Sequence, residues 1–167
     1  VGTVTLSDQE TVEAAIAAYN LLSASAKAEL TVEKVLLDSL LVEINKLVPT
    51  ETQVAQFRSN HAVALALTVE SVTISDRVIV EQAIAAYELL SVDAKAALTA
   101  EKLLLDSLLI EINLQEAIVS AEAAVFTAEN SYLQTDVDAA QILVTALPNG
   151  TEKTALQDRL NIVQDNI

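Results

Sequence analysis

Apolar residues recur along this chain at helical spacing, separated by polar positions and a few turn signals. Val12, Ala15, Ile16, Tyr19 and Leu22 fall on one face of a helix predicted over about 8–23. Leu36, Leu37, Leu40, Leu41, Ile44 and Leu47 mark a second helix, with a stripe wide enough to be covered on more than one side. Between them a short turn at about 25–30 is predicted to start at Ser25, and Thr31 to cap the longer helix. Ser7 with Glu10 three residues on reads as a capping box for the first helix. Val4-Thr5-Leu6 alternates like an extended connector that pairs briefly. Pro49 ends the second helix. Thr50 or Thr52 then restarts one at about 51–66, carrying Val54, Phe57, His61, Ala64 and Leu65.

The pattern then begins again. Residues 4–45 recur at 72–113, 68 positions later, with 30 of 42 residues identical. The second stripes are Val80, Ala83, Ile84, Tyr87 and Leu90, then Leu104, Leu105, Leu108, Leu109 and Ile112, widened by Leu103 and Ile110. Apolar positions exchange for apolar ones (Leu6/Ile74, Val35/Leu103, Val42/Ile110) and polar exchanges fall elsewhere (Gln9/Arg77, Asn20/Glu88), as a packed core requires. Val72-Thr73-Ile74 repeats the connector. Ser75 repeats the cap, but Val78 removes the box and leaves Ile74 and Ile79 as a hydrophobic staple. Asp93 and Thr99 repeat the caps of the short turn and the longer helix, and Ser23 and Ser91 end the first helix of each copy.

Beyond the repeats the copies part. No proline follows Asn113, so the helix is predicted to run unbroken over about 100–132, with Ile118, Ala121, Val125, Ala128 and Tyr132 continuing the stripe. Asp136 is expected to cap a helix at about 137–147. Pro148-Asn149-Gly150 is a turn, and Thr151 caps a last helix carrying Leu156, Leu160, Val163 and Ile167. The expected fold is all-α. Tandem small helical bundles divide as 1–70, 71–115 and 116–167, and the long helix joins the second repeat to a C-terminal three-helix bundle, an arrangement open to elongation.

Composition supports this reading. Only two Gly and two Pro interrupt a chain that is 52% apolar. The net charge of −15 argues against nucleic acid and anionic membrane surfaces as partners. Cysteine is absent, so disulfides and thiolate metal sites are excluded. No apolar run is long enough to insert in a membrane. Methionine is absent even at position 1, which suggests a piece of a longer product.

Candidate chemistry is sparse. His61, the single histidine, has no nucleophile or ligand spacing around it and reads as a helix-face residue. Two glycines cannot build a phosphate-binding loop. Asp136 and Asp138 sit where a helix N-terminus favours negative charge by about 0.3–1 kcal/mol each. Asp38/Asp106, Glu43/Glu111 and Asn45/Asn113 repeat within apolar helices. They read as solvent strips, with a polar contact that sets helix register as the alternative. Tyr19 and Tyr87 read as core residues with the hydroxyl at the rim. No catalytic, cofactor-binding or metal-ligating residue is therefore assigned, and no cofactor or small-molecule substrate is expected.

The phrase DRVIVEQAIAAYELLSVDAKAALTAEKLLLDSLLIEI resembles a helical module recurring in secreted surface proteins of Gram-positive bacteria, such as adhesins and surface-layer proteins. QTDVDAAQILVTALPNGTEKTALQDRLNIVQ resembles a second module of the same proteins. In size, three helices are similar to small bacterial albumin- and immunoglobulin-binding bundles. The matching residues are caps, turns and core positions, so the resemblance implies a scaffold and an extracellular, cell-surface setting, and it transfers no catalytic residue. It implies a non-enzymatic spacer or assembly module, with a protein-binding, adhesin-like module as the alternative. A protein partner or self-assembly is expected.

Overall fold

The computed structural model describes residues 4–167; residues 1–3, ahead of the first repeat, lie outside the described residues. The fold is all-α. Its helices are α1 (Gln9–Asn20), α2 (Ala24–Glu29), α3 (Thr31–Asn45), α4 (Thr50–Asn60), α5 (Ala62–Leu65), α6 (Arg77–Glu88), α7 (Val92–Ala97), α8 (Thr99–Ser131), α9 (Gln134–Ala146) and α10 (Thr151–Gln164). The offset of 68 holds for both ends of α1/α6 and α2/α7 and for the starts of α3/α8.

The helix starts differ from the sequence expectation in a consistent way. Leu6–Asp8 and Ile74–Asp76 are single 3-10 turns, so the predicted connectors do not pair as strands. The capping box belongs to Thr5 and Asp8, and to Thr73 and Asp76 in the second copy, so neither copy lacks it. Asp8 and Asp76 each accept the backbone N–H of that threonine at 2.9 Å. Ser7 instead bonds the hydroxyl of Thr5. Ser23 and Ser91 do not end α1 and α6. They cap α2 and α7 by accepting the N–H of Ala26 and Ala94, the role expected of Ser25 and Asp93. The residue before the helix has the extended backbone that lets its oxygen turn back on the first turn, and in α2 and α7 that residue is Ser23 or Ser91. Thr31, Thr99 and Thr151 are first helical residues rather than caps, and Asp136 lies inside the first turn of α9, after Leu133.

Pro49 ends the α3 segment and stands at the N-cap of α4, where its missing N–H costs nothing. The predicted helix over 51–66 is divided at His61 into α4 and α5. The long helix is continuous for 33 residues, about 50 Å at 1.5 Å per residue. It ends where Tyr132 takes φ 51, a left-handed conformation usually left to glycine at this position.

The chain divides into two compact units. The first holds the segment up to Ala66 with Val78–Asp106, and the second holds Leu67–Arg77 with Ser107–Ile167. In the first unit α1 packs on α3 and α4 on α7. Val12, Leu41 and Ile44 form a core cluster with Ile16, Leu37, Leu40 and Leu89 against it. In the second unit Ala121, Val125 and Ala128 of α8 meet Val137, Ala140 and Val144 of α9 and Leu156, Leu160 and Val163 of α10. Side-chain pairs Gln134–Gln164 and Gln141–Gln157 run α9 antiparallel to α10, and Arg159 grips Glu129 of α8 through two bonds of 2.7 and 2.8 Å.

The wide stripes are not covered on every side. Leu36, Leu47, Leu103 and Ile110 are exposed, as are Tyr132 and Ile167 at the ends of the C-terminal stripes. A helix packed along one seam buries the central residues of such a stripe and leaves its margins in solvent. Leu108→Ala, at a fully buried position, is therefore expected to cost about 2–5 kcal/mol. Ile110→Ala, at a position 68% exposed, should change stability by no more than about 0.5 kcal/mol. Urea unfolding midpoints of the two variants check this ordering.

Candidate functional site

The first unit contains a cleft of about 480 Å³ between α1, α3, α4 and α6. Apolar side chains such as Ile16, Leu41, Phe57 and Leu89 line it together with amides, among them Asn20, Asn45 and Gln53. Two of those amides are buried and explain how the cleft keeps its shape. Gln53 is 3% exposed. Its Nε2 donates to the carbonyls of Asn45 (2.5 Å) and Val48 (2.8 Å), and its Oε1 accepts the N–H of Ser91 at 3.0 Å. Asn45 Nδ2 donates to the carbonyl of Leu89 at 2.7 Å. Asn45 is thus a polar contact that sets register and not part of a solvent strip, whereas its repeat counterpart Asn113 is exposed and accepts from Arg77. Gln53 was hidden in the sequence by its polarity. It lies four residues, about one helical turn, before Phe57 on the buried face of α4.

His61 caps α4 and stacks at a tilt of 47° on Phe57, ring centroids 4.9 Å apart. Burial disfavours its charged form and holds its pKa below the ordinary histidine value. Phe57 in turn stands edge-on to Tyr87 at 6.2 Å. Each repeat tyrosine has the same frame. Tyr87 donates its hydroxyl to the carbonyl of Lys95 and has the ammonium groups of Lys95 and Lys102 5.8 and 5.7 Å from its ring centre. Tyr19 donates to Lys27 and lies 6.0 and 5.7 Å from Lys27 and Lys34. Lys34 and Lys102 are fixed in turn by Asp38 and Asp106, each at 2.7 Å.

The carboxylates are dispersed. Asp138 accepts from Gln134, and no group of three or more potential metal ligands occurs among the described residues. Hydrogen bonds from Arg159 lower the pKa of Glu129, and those from Thr5 lower that of Asp8. These shifts follow from a helix cap at Asp8 and an interhelical ion pair at Glu129. No helix of the described residues is long and apolar enough to cross a membrane.

The second unit offers a different surface. Val119, Ala123 and Phe126 recur at i, i+4 and i+7 on α8 and all face solvent. Ala139, Ile142 and Ala146, at i, i+3 and i+7 on α9, also face solvent. Phe126 is 63% exposed and Ile142 71%.

The family model described as GA-like domain matches residues 80–167, more than half of the chain. The chain belongs to the GA-like domain family. GA-like domains are small helical modules typical of Gram-positive surface proteins; they bind proteins, often albumin, and are not known as enzymes. The match takes in α7 to α10 and α6 from Val80 onward. No curated protein and no solved structure matches the chain.

Two outcomes follow from the site. Gln53→Ala removes the side-chain partner of the part-buried Ser91 N–H and of the Asn45 and Val48 carbonyls, so a loss of about 1–3 kcal/mol is expected in thermal unfolding. The sign for His61 runs opposite to that of a salt-bridged histidine. Its folded pKa is lowered, so the unfolded chain takes up the proton first. Stability should therefore fall as pH drops below the ordinary histidine value of 6.5. His61→Gln should flatten that dependence in a melting series between neutral and mildly acidic pH.

Proposed function

We propose that this GA-like chain is a non-enzymatic protein-binding module of a Gram-positive cell-surface protein, acting outside the cell. The observation that carries the reading is the C-terminal three-helix bundle, which the family model covers and which turns two apolar helix stripes to solvent. Phe126 on α8 and Ile142 on α9 are the anchors we assign to the contact, since large side chains in a binding patch supply most of the affinity. A protein of the host or of the cell wall is the partner class, and albumin is the first ligand to try because GA-like domains often bind it. Self-assembly and a spacing role come second, favoured by the internal duplication. In that case the borders near 70 and 115 record module boundaries inherited from the repeat.

Immobilised chain should capture serum albumin, and Phe126→Asp together with Ile142→Asp should abolish capture with the melting temperature unchanged, because both positions are exposed. Albumin passing the wild-type chain unretained would leave the spacer reading in its place.

A further inference from the structure

In the second repeat, α4 covers a surface that the first repeat also carries. Arg58 of α4 pairs with Glu101 at 2.6 Å. Gln53 takes the N–H of Ser91 at 3.0 Å, and the preceding Asn45 donates to the carbonyl of Leu89 at 2.7 Å. Phe57 meets Tyr87. With α4 in place Ala94 and Leu98 are fully buried.

Every one of these receiving residues has an identical counterpart 68 positions earlier: Glu33, Ser23, Leu21, Tyr19, Ala26 and Leu30. The local geometry matches too. Ser23 caps α2 as Ser91 caps α7, with the same hydrogen bond of 3.3 Å, and Tyr19 is held as Tyr87 is. Yet Leu30 is 36% exposed where Leu98 is 0%. Among the described residues no side chain bonds the Ser23 N–H or the Leu21 carbonyl, and Glu33 has no ion pair. Within the short helix the copies differ at Ala24/Val92, Ser25/Asp93 and Glu29/Ala97, and all of these positions are exposed.

We propose that α2 and its flanking residues form a docking site for a linker helix of the α4 kind carried by another repeat module. The required chemistry is read from the occupied copy. A glutamine takes the Ser23 N–H, an aromatic residue four positions later meets Tyr19, an adjacent arginine pairs with Glu33, and an asparagine eight positions before the glutamine reaches the Leu21 carbonyl. The chain's own α4 is engaged at α7 by direct linkage, so the occupant is supplied by a further module. Such a contact is heterologous, helix on one module to face on the next, and propagates along an array. The site is separate from the α8 and α9 stripes, so its fate does not decide the binding reading above.

The test titrates a synthetic peptide of Asn45–His61 into the isotope-labelled full chain and follows backbone amide signals. Ser23, Leu30 and Glu33 should shift together and saturate at millimolar peptide or below. Leu30→Arg, at a position already in solvent, should weaken binding about tenfold with the rest of the spectrum unchanged. Glu33→Arg should weaken it as well, and a peptide carrying Arg58→Glu should restore it by reversing the charge pair. A second peptide, held helical by a staple outside the contact face, removes fraying as a cause of failure. Unmoved Ser23 and Leu30 signals with the stapled peptide would overturn the proposal. So would shifts confined to Val92–Ala97, or binding unaffected by Leu30→Arg.

Discussion

The carboxamide of Gln53 sits where three backbone segments of the first unit meet. It donates to the end of α3 and to the residue before Pro49, and accepts from the cap of α7. Both its donors and its acceptor are used, so the buried group carries no unsatisfied polar atom. A buried amide lacking one partner costs about 1–3 kcal/mol, so these geometries are mutually exacting. Pro49 makes them possible. It stops α3, fixes the turn and starts α4 four residues before the glutamine, so that Gln53 reaches back to the carbonyls the broken helix leaves open. Asn45 and its bond to Leu89 complete the join between the end of one repeat and the end of the first helix in the next.

The duplication shows how far identical sequence carries identical structure. Caps, turn geometry and the tyrosine frames repeat, because each is satisfied by residues within a few turns of one another. Burial does not repeat. Leu98 is enclosed and Leu30 is not, although both follow the same short helix. The difference arises from α4, which the chain possesses in one copy and docks in one place. In the occupied copy the repeated face is a receptor for the linker helix that precedes it.

The second unit rests on apolar packing with polar pairs at its margins. Small residues on α8 (Ala121, Ala128) and α9 (Ala140) let the helices approach closely, and the Glu129–Arg159 pair joins α8 to α10 near the solvent boundary. An exposed pair of this kind sets alignment more than stability. With its core complete, the unit has no internal use for Val119, Phe126 or Ile142. Those are the residues we assign to the protein contact.

The sequence by itself determined the all-α class, the repeat and its period, the break at Pro49, the unbroken helix after Asn113 and the central residues of each stripe. All of these depend on spacing along one strand of chain, and periodicity reports spacing. Cap identity was only partly legible. Serine and threonine occur at several adjacent positions, and residue type does not report which of them takes the extended backbone that selects Thr5 or Ser23. The margins of the stripes were not legible either, since Leu103 and Leu105 are chemically alike and only the neighbouring helix decides which is covered. The same holds for Gln53 and Asn45. A polar residue on an apolar face reads as solvent-exposed until the fold brings backbone groups from distant segments to it, and that meeting is a property of the tertiary structure alone.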